Sequence, residues 1–183
     1  IRQNGEALAG AVFGLFDSEG TKVQEATSDA DGSVVFQQIP YGRYAIRELS
    51  APYGYHPSAQ TWEVTVDGTY QNPIGLLDTV VNEDAPGRIR ILKQDELDQH
   101  VIAGVRFDIY SVDEAGNAAD CVAQMTTNEQ GIAESPDLFP ADYIVMEHAA
   151  PTGYEETLWS EKITVGMDEL VSRTVTNRPV QGV

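Results

Sequence analysis

Three side chains of unlike chemistry fall on inward positions of three predicted strands: the amine of Lys93, the carboxyl of Glu147 and the carboxamide of Asn177. Strand side chains alternate between faces. Lys93 therefore follows Ile89 and Ile91, Glu147 follows Tyr143 and Val145, and Asn177 shares a face with Val175. Burial drives an amine and a carboxyl toward their uncharged forms, which are a nucleophile and a proton donor. Left charged and alone in a core, either would cost several kcal/mol, so each needs a partner. The plainer reading of any one of them is a strand-end residue whose polar tip reaches solvent. Arg173, on the same face as Asn177, shows that the alternation of the last strand is imperfect.

The strand that carries Glu147 is one of a pair. Tyr44-Ala45-Ile46-Arg47-Glu48-Leu49-Ser50-Ala51-Pro52-Tyr53-Gly54-Tyr55 returns as Tyr143-Ile144-Val145-Met146-Glu147-His148-Ala149-Ala150-Pro151-Thr152-Gly153-Tyr154. In both copies a carboxylate ends an apolar row, so Glu48 is the counterpart of Glu147. Asn82, which shares a face with Val80 and Leu76, is the counterpart of Asn177. The first copy has no counterpart of Lys93: the one lysine before residue 93 is Lys22, beyond the first turn in a different strand.

Short alternating runs separated by Gly, Pro and Asp turns fill the rest of the chain. The first copy reads as strands at Ala11–Phe16, Lys22–Thr27, Ser33–Phe36, from Arg43, Thr61–Val66 and Gly75–Asn82. Glu83-Asp84-Ala85-Pro86-Gly87 reads as a linker. The second copy reads as strands at Arg88–Lys93, Ala103–Tyr110, around Asp120–Thr127, from Tyr143, Ser160–Val165 and Leu170–Asn177. No stretch competes as a helix. An all-β chain of two tandem immunoglobulin-like β-sandwiches, residues 1–86 and 87–183, is the natural reading, each with about seven short strands.

Composition narrows the function. The formal charge is -18, with 4 basic and 12 acidic side chains in residues 1–86 and 7 and 17 in residues 87–183. Phosphate backbones would be repelled, which argues against nucleic acid. No apolar run of about 18 residues suggests a membrane span. A single cysteine, Cys121, excludes an internal disulfide framework and a Cys-rich zinc site, and reads as a small apolar strand residue. Asp29-Ala30-Asp31-Gly32 reads as a plain turn rather than a calcium loop, because no Glu closes a twelve-residue loop. His56, His100 and His148 are scattered, with no spacing that suggests a metal site or a triad. Neither metal nor cofactor is expected. The absence of a signal peptide and an anchor reads as a segment of a longer protein.

The paired Tyr-x-x-x-Glu-x-x-Ala-Pro-x-Gly-Tyr runs resemble the B-type repeats of collagen adhesins and the related pilin domains of Gram-positive bacteria, which have a prealbumin-like fold. Leu8-Ala9-Gly10-Ala11-Val12-Phe13 with Ile102-Ala103-Gly104-Val105-Arg106-Phe107, and Gly32 with Gly131, extend the resemblance over nearly the whole chain, twice. The resemblance implies an intramolecular isopeptide bond between Lys93 and Asn177, assisted by Glu147. It also implies a lysine immediately upstream of Ile1 that would join Asn82 with the help of Glu48; the alternative is that the first domain never cross-links. The expected function is a stalk or shaft segment of an extracellular, wall-anchored adhesin or pilin, with neighbouring domains of the same protein as partners. It would be no enzyme beyond one self-modifying turnover. A rival expectation is an adhesive domain that recognises a host matrix protein or glycan through loops such as His56 to Thr61.

Overall fold

Alternation of apolar and polar residues builds the core-facing strands of this computed structural model, which describes residues 1–68, 79–156 and 158–180. The chain divides into two compact units, Ile1–Ala85 and Pro86–Val183. No helix among the described residues is long and apolar enough to cross a membrane.

In the first unit, β1 (Val12–Phe16), β2 (Lys22–Thr27), β3 (Gly42–Ser50) and β5 (Thr61–Val66) form an antiparallel sheet in the order β2-β1-β3-β5. β4 (Tyr55–His56) pairs with β6 (Glu83–Asp84). Glu83 and Asp84, read as linker in the sequence, are thus hydrogen-bonded back onto the first unit. Phe13 and Leu15 of β1 and Tyr44 of β3 are buried, as their parity requires. The expected strand at Ser33–Phe36 does not form, and Val35 is exposed. Half of the expected strand at Gly75–Asn82, with Leu76, lies outside the described residues.

The second unit explains the missing strand. It contains β7 (Arg88–Asp95), β8 (Arg106–Val112), β9 (Ala118–Thr126), β10 (Ile132–Glu134), β11 (Ala141–Glu147), β12 (Ser160–Val165) and β13 (Leu170–Asn177). One sheet has the order β10-β7-β13 and the other β12-β11-β8-β9. β10, the counterpart of Ser33–Phe36, pairs with Arg90, Ile91 and Leu92 of β7. Residues matching those three would precede Ile1, so Ser33–Phe36 has no ladder partner within this sequence. Backbone groups without a partner strand stay with water.

Between the two sheets lies a core that includes Ile89, Ile91, Phe107, Ile109, Val145, Ile163, Val165 and Val175. Phe107 meets Trp159 edge to face at 6.0 Å. One device recurs at the ends of hairpins. An Asp or Asn side chain accepts backbone N–H bonds from residues two and four ahead, as Asp17 does from Glu19 and Thr21 and Asn128 from Gln130 and Ile132. Asp29 does the same with Asp31 and Ser33, which makes its loop a turn. Cys121 sits in β9 but is exposed, contrary to the apolar position expected of it. Alternation alone would set Cys121 on the inward face with Ala123 and Met125, but the register shift between Ile109 and Tyr110 puts it opposite Tyr110, on the outward face.

Candidate functional site

β7 and β13 are the first and last strands of the second unit and run parallel, with Val175 opposite Lys93 and Asn177 opposite Asp95. Asn177 is therefore a diagonal neighbour of Lys93 on the same face, about 8 Å away between backbones, well within reach of a lysine side chain. Glu147 comes from the other sheet, at the end of β11 opposite Phe107 of β8. All three side chains are buried: Lys93 is 0% exposed, Glu147 2% and Asn177 4%.

Lys93 is held on both sides of its peptide. Its N–H donates to Gly131 O at 2.8 Å and its carbonyl accepts from Ile102 N at 2.9 Å. Glu147 N donates to Trp159 O at 2.8 Å, and Trp159 N lies 3.4 Å from Oε2 of Glu147. Lys93 Nζ stands 3.8 Å from Glu147 Oε1, a distance for charge attraction but too long for a hydrogen bond. Lys93 Nζ, Glu147 Oε1 and Asn177 Oδ1 are all buried without a hydrogen-bond partner. Each orphaned group costs about 1–3 kcal/mol. Burial pulls the Lys93 ammonium toward deprotonation, and the Glu147 carboxylate offsets part of that pull.

The first unit repeats the carboxyl and carboxamide in a different state. Asn82 Nδ2 donates to both oxygens of Glu48, at 2.8 and 2.9 Å, and to His56 O at 3.0 Å, while Ser58 N donates to Glu48 Oε2 at 2.7 Å. Both are buried. Arg2 bridges in parallel to Asn82, and Asn82 N donates to Ile1 O. Arg2 opposite Asn82 corresponds to Asp95 opposite Asn177, so the counterpart of Lys93 is the position immediately before Ile1. Lys22 is exposed in β2, with Nζ 2.5 Å from Glu25 Oε2, remote in strand order from Asn82.

Two clusters escaped the sequence reading. Asp108 is buried in β8 beside Arg106, 2.8 Å away, and His148 Nδ1, also at 2.8 Å. Burial works against its ionisation, but those two hydrogen bonds prevail and lower its pKa. Asp95, Asp98 and His100 also converge, close enough to offer three metal-ligand atoms. Those atoms are already engaged: His100 Nδ1 with Asp98, His100 Nε2 with Tyr154 Oη, and Asp95 Oδ1 with Leu97 N and Asp98 N. They fasten the loop after β7. The one available signal was the short Asp-x-x-Asp-x-His spacing, which a turn explains equally well.

The family model of the SpaA prealbumin-like fold domain matches residues 2–75 and again 87–179. The chain belongs to this family. Within it, 60 residues are 35% identical to the trypsin-resistant surface T6 protein of Streptococcus pyogenes, covering 33% of this chain and 11% of that protein. Colossin-A of Dictyostelium discoideum is 26% identical over 203 residues, covering 96% of this chain and 2% of its own length. Among solved structures, the Bacillus anthracis TIE protein superposes with a TM-score of 0.76 at 25% identity, over 98% of this chain and 33% of that one. The chain thus spans a third or less of each of these three relatives. As a SpaA-type prealbumin-like chain it is all-β, with one family match in each of its two units.

Proposed function

We propose that the chain is a structural shaft segment of a Gram-positive surface protein, built from two domains, residues 1–86 and 87–183, and stiffened by a self-made Lys93–Asn177 amide. In this reaction the neutral Lys93 amine attacks Asn177 Cγ. Glu147, protonated, hydrogen-bonds the carboxamide and polarises it, takes a proton from the attacking nitrogen and delivers one to Nδ2. The C–Nδ2 bond breaks as the Nζ–Cγ bond forms, ammonia leaves, and a neutral amide replaces an amine, a carboxamide and their desolvation cost. Glu147 ends as it began, but Lys93 and Asn177 are consumed, so the event is a single turnover.

One observation carries the reading: an amine, a carboxyl and a carboxamide with three orphaned polar atoms lie buried in one core. A purely packed domain would gain by replacing them with apolar residues. The position before Ile1 plays the part of Lys93 in the first domain, with Glu48 and Asn82 as its partners. Because β7 and β13 are the first and last strands, their bond would carry tension from one chain end toward the other without loading the ladder between. Likeness to a streptococcal surface protein supports an extracellular place on the cell wall, beside neighbouring domains of the same protein. Intact mass of the purified chain tests the reaction: a deficit of one ammonia supports it, and the full sequence mass after complete folding rules it out.

A further inference from the structure

Nine of the eleven basic side chains have a carboxylate within 4.0 Å: Arg2, Lys22, Arg88, Arg90, Lys93, Arg106, Lys162, Arg173 and Arg178. In a chain with 29 acidic side chains, that is the expected fate of a cation. The two exceptions among the described residues, Arg43 and Arg47, lie on one strand and line the same surface groove. Both belong to the outward face of β3, with Ala45 between them, while Tyr44 and Glu48 point into the core. Ala45 lies opposite Phe16 on one side and Glu63 on the other. Its small side chain leaves the floor of the groove low. The Arg47 guanidinium stacks over the Phe16 ring at 3.9 Å, which orients it while leaving its edge donors open to a carboxylate.

We infer that this groove on the outer face of the first unit docks an extended acidic peptide, with one carboxylate on each of Arg43 and Arg47. Four residues along a strand separate the two arginine backbones by about 13 Å. Two acidic residues four apart in an extended peptide have the same separation. Glu63, beside Ala45, and Asp17, which also lines the groove, repel a third negative charge, so the residues between the two carboxylates are uncharged. The same feature disfavours sulfated or uronate-rich glycans, which carry charge at closer intervals and meet a surface that is acidic elsewhere. This inference is independent of the cross-link, because Arg43 and Arg47 face outward from β3 whereas Glu48 faces the core.

The test is a titration of the whole chain, at low salt, with the capped peptide Thr-Glu-Val-Ala-Val-Glu-Thr and its version with both Glu replaced by Gln. The Glu peptide should bind and the Gln peptide should not, with affinity falling as salt is raised. Arg43→Gln, which removes no ion pair among the described residues, and Arg47→Gln should each weaken binding about tenfold, as loss of a charge-assisted hydrogen bond implies. Far-ultraviolet circular dichroism establishes that each variant is folded. Equal binding of the two peptides, indifference to Arg43→Gln, or binding of a heparin oligosaccharide in place of the Glu peptide would overturn the inference.

Discussion

At the scale of single residues, the site turns on what burial does to charge. Lys93 is wholly enclosed, and the nearest opposite charge is at 3.8 Å. Glu147→Gln keeps the shape and the apolar row of β11 but removes the exchangeable carboxyl proton. This variant should fold, retain the full mass with no loss of ammonia, and melt at lower temperature than the parent chain. A variant that still loses ammonia would remove Glu147 from the reaction. Asn177→Ala leaves Lys93 as a free amine and exposes its titration. Burial lowers the folded-state pKa of Lys93 below the ordinary 10.5. The unfolded chain therefore binds more protons between the folded value and 10.5, and stability rises with pH across that interval. Urea midpoints of Asn177→Ala should increase through the alkaline range until tyrosine ionisation intervenes. The parent chain, whose Lys93 nitrogen would be an amide, should lack this rise.

At the scale of elements, β7 is positioned less by its own propensity than by its neighbours. Gly131, at the entrance to β10, has φ +71, and its carbonyl receives the Lys93 N–H. A Cβ there would approach Val101 Cβ at 2.7 Å and Lys93 O at 2.8 Å. Gly131→Ala thus combines an unfavourable backbone conformation with contact against the peptide that holds the reactive lysine. It should cost more than about 1 kcal/mol in chemical denaturation and slow the loss of ammonia followed by mass in freshly synthesised chain. An unchanged rate together with unchanged stability would mean that β7 is set without this turn. The outer face of β8 offers a contrast: both carboxylate oxygens of Asp108 are engaged, Oδ1 by Arg106 and Oδ2 by His148, which suits the set to holding β8 against the end of β11.

At the scale of the whole molecule, the two units are one design in two states. The second has its first strand intact, with β10 and β13 on either side. The first has Ile1 and Arg2 beside Val80 and Asn82, and its Ser33–Phe36 segment lies outside any ladder. Adding the natural upstream sequence should supply a lysine immediately before Ile1, a paired Ser33–Phe36 strand and a second loss of ammonia. An upstream sequence without lysine at that position, or a mass deficit that stays at one ammonia, would leave the first domain dependent on noncovalent packing. In the chain as it stands, calorimetry should resolve a lower transition for the first unit and a higher one for the second.

The sequence alone determined what depends on neighbours within a few residues. Alternation placed Phe13, Leu15, Ile89, Ile91, Val145 and Val175 inward, and β2, β5, β12 and β13 have the expected bounds. Gly and Asx spacing located the turns, and the duplicated Tyr-x-x-x-Glu run marked the repeat. Period-2 parity also put Lys93, Glu147 and Asn177 on inward faces. What it could not express was which strand lies beside which, because pairing residues more than 80 positions apart is a global balance of loop closure against burial. The parallel register of β7 with β13, the 3.8 Å approach of Lys93 to Glu147, and the hydrogen-bonded Glu48–Asn82 pair came from the tertiary structure. So did the absence of a strand at Ser33–Phe36, whose composition suits a strand but whose partner is not in the sequence. The same holds for Arg43 and Arg47: their charge is plain in the sequence, but their lack of a carboxylate partner among the described residues depends on every side chain that folding brings near them.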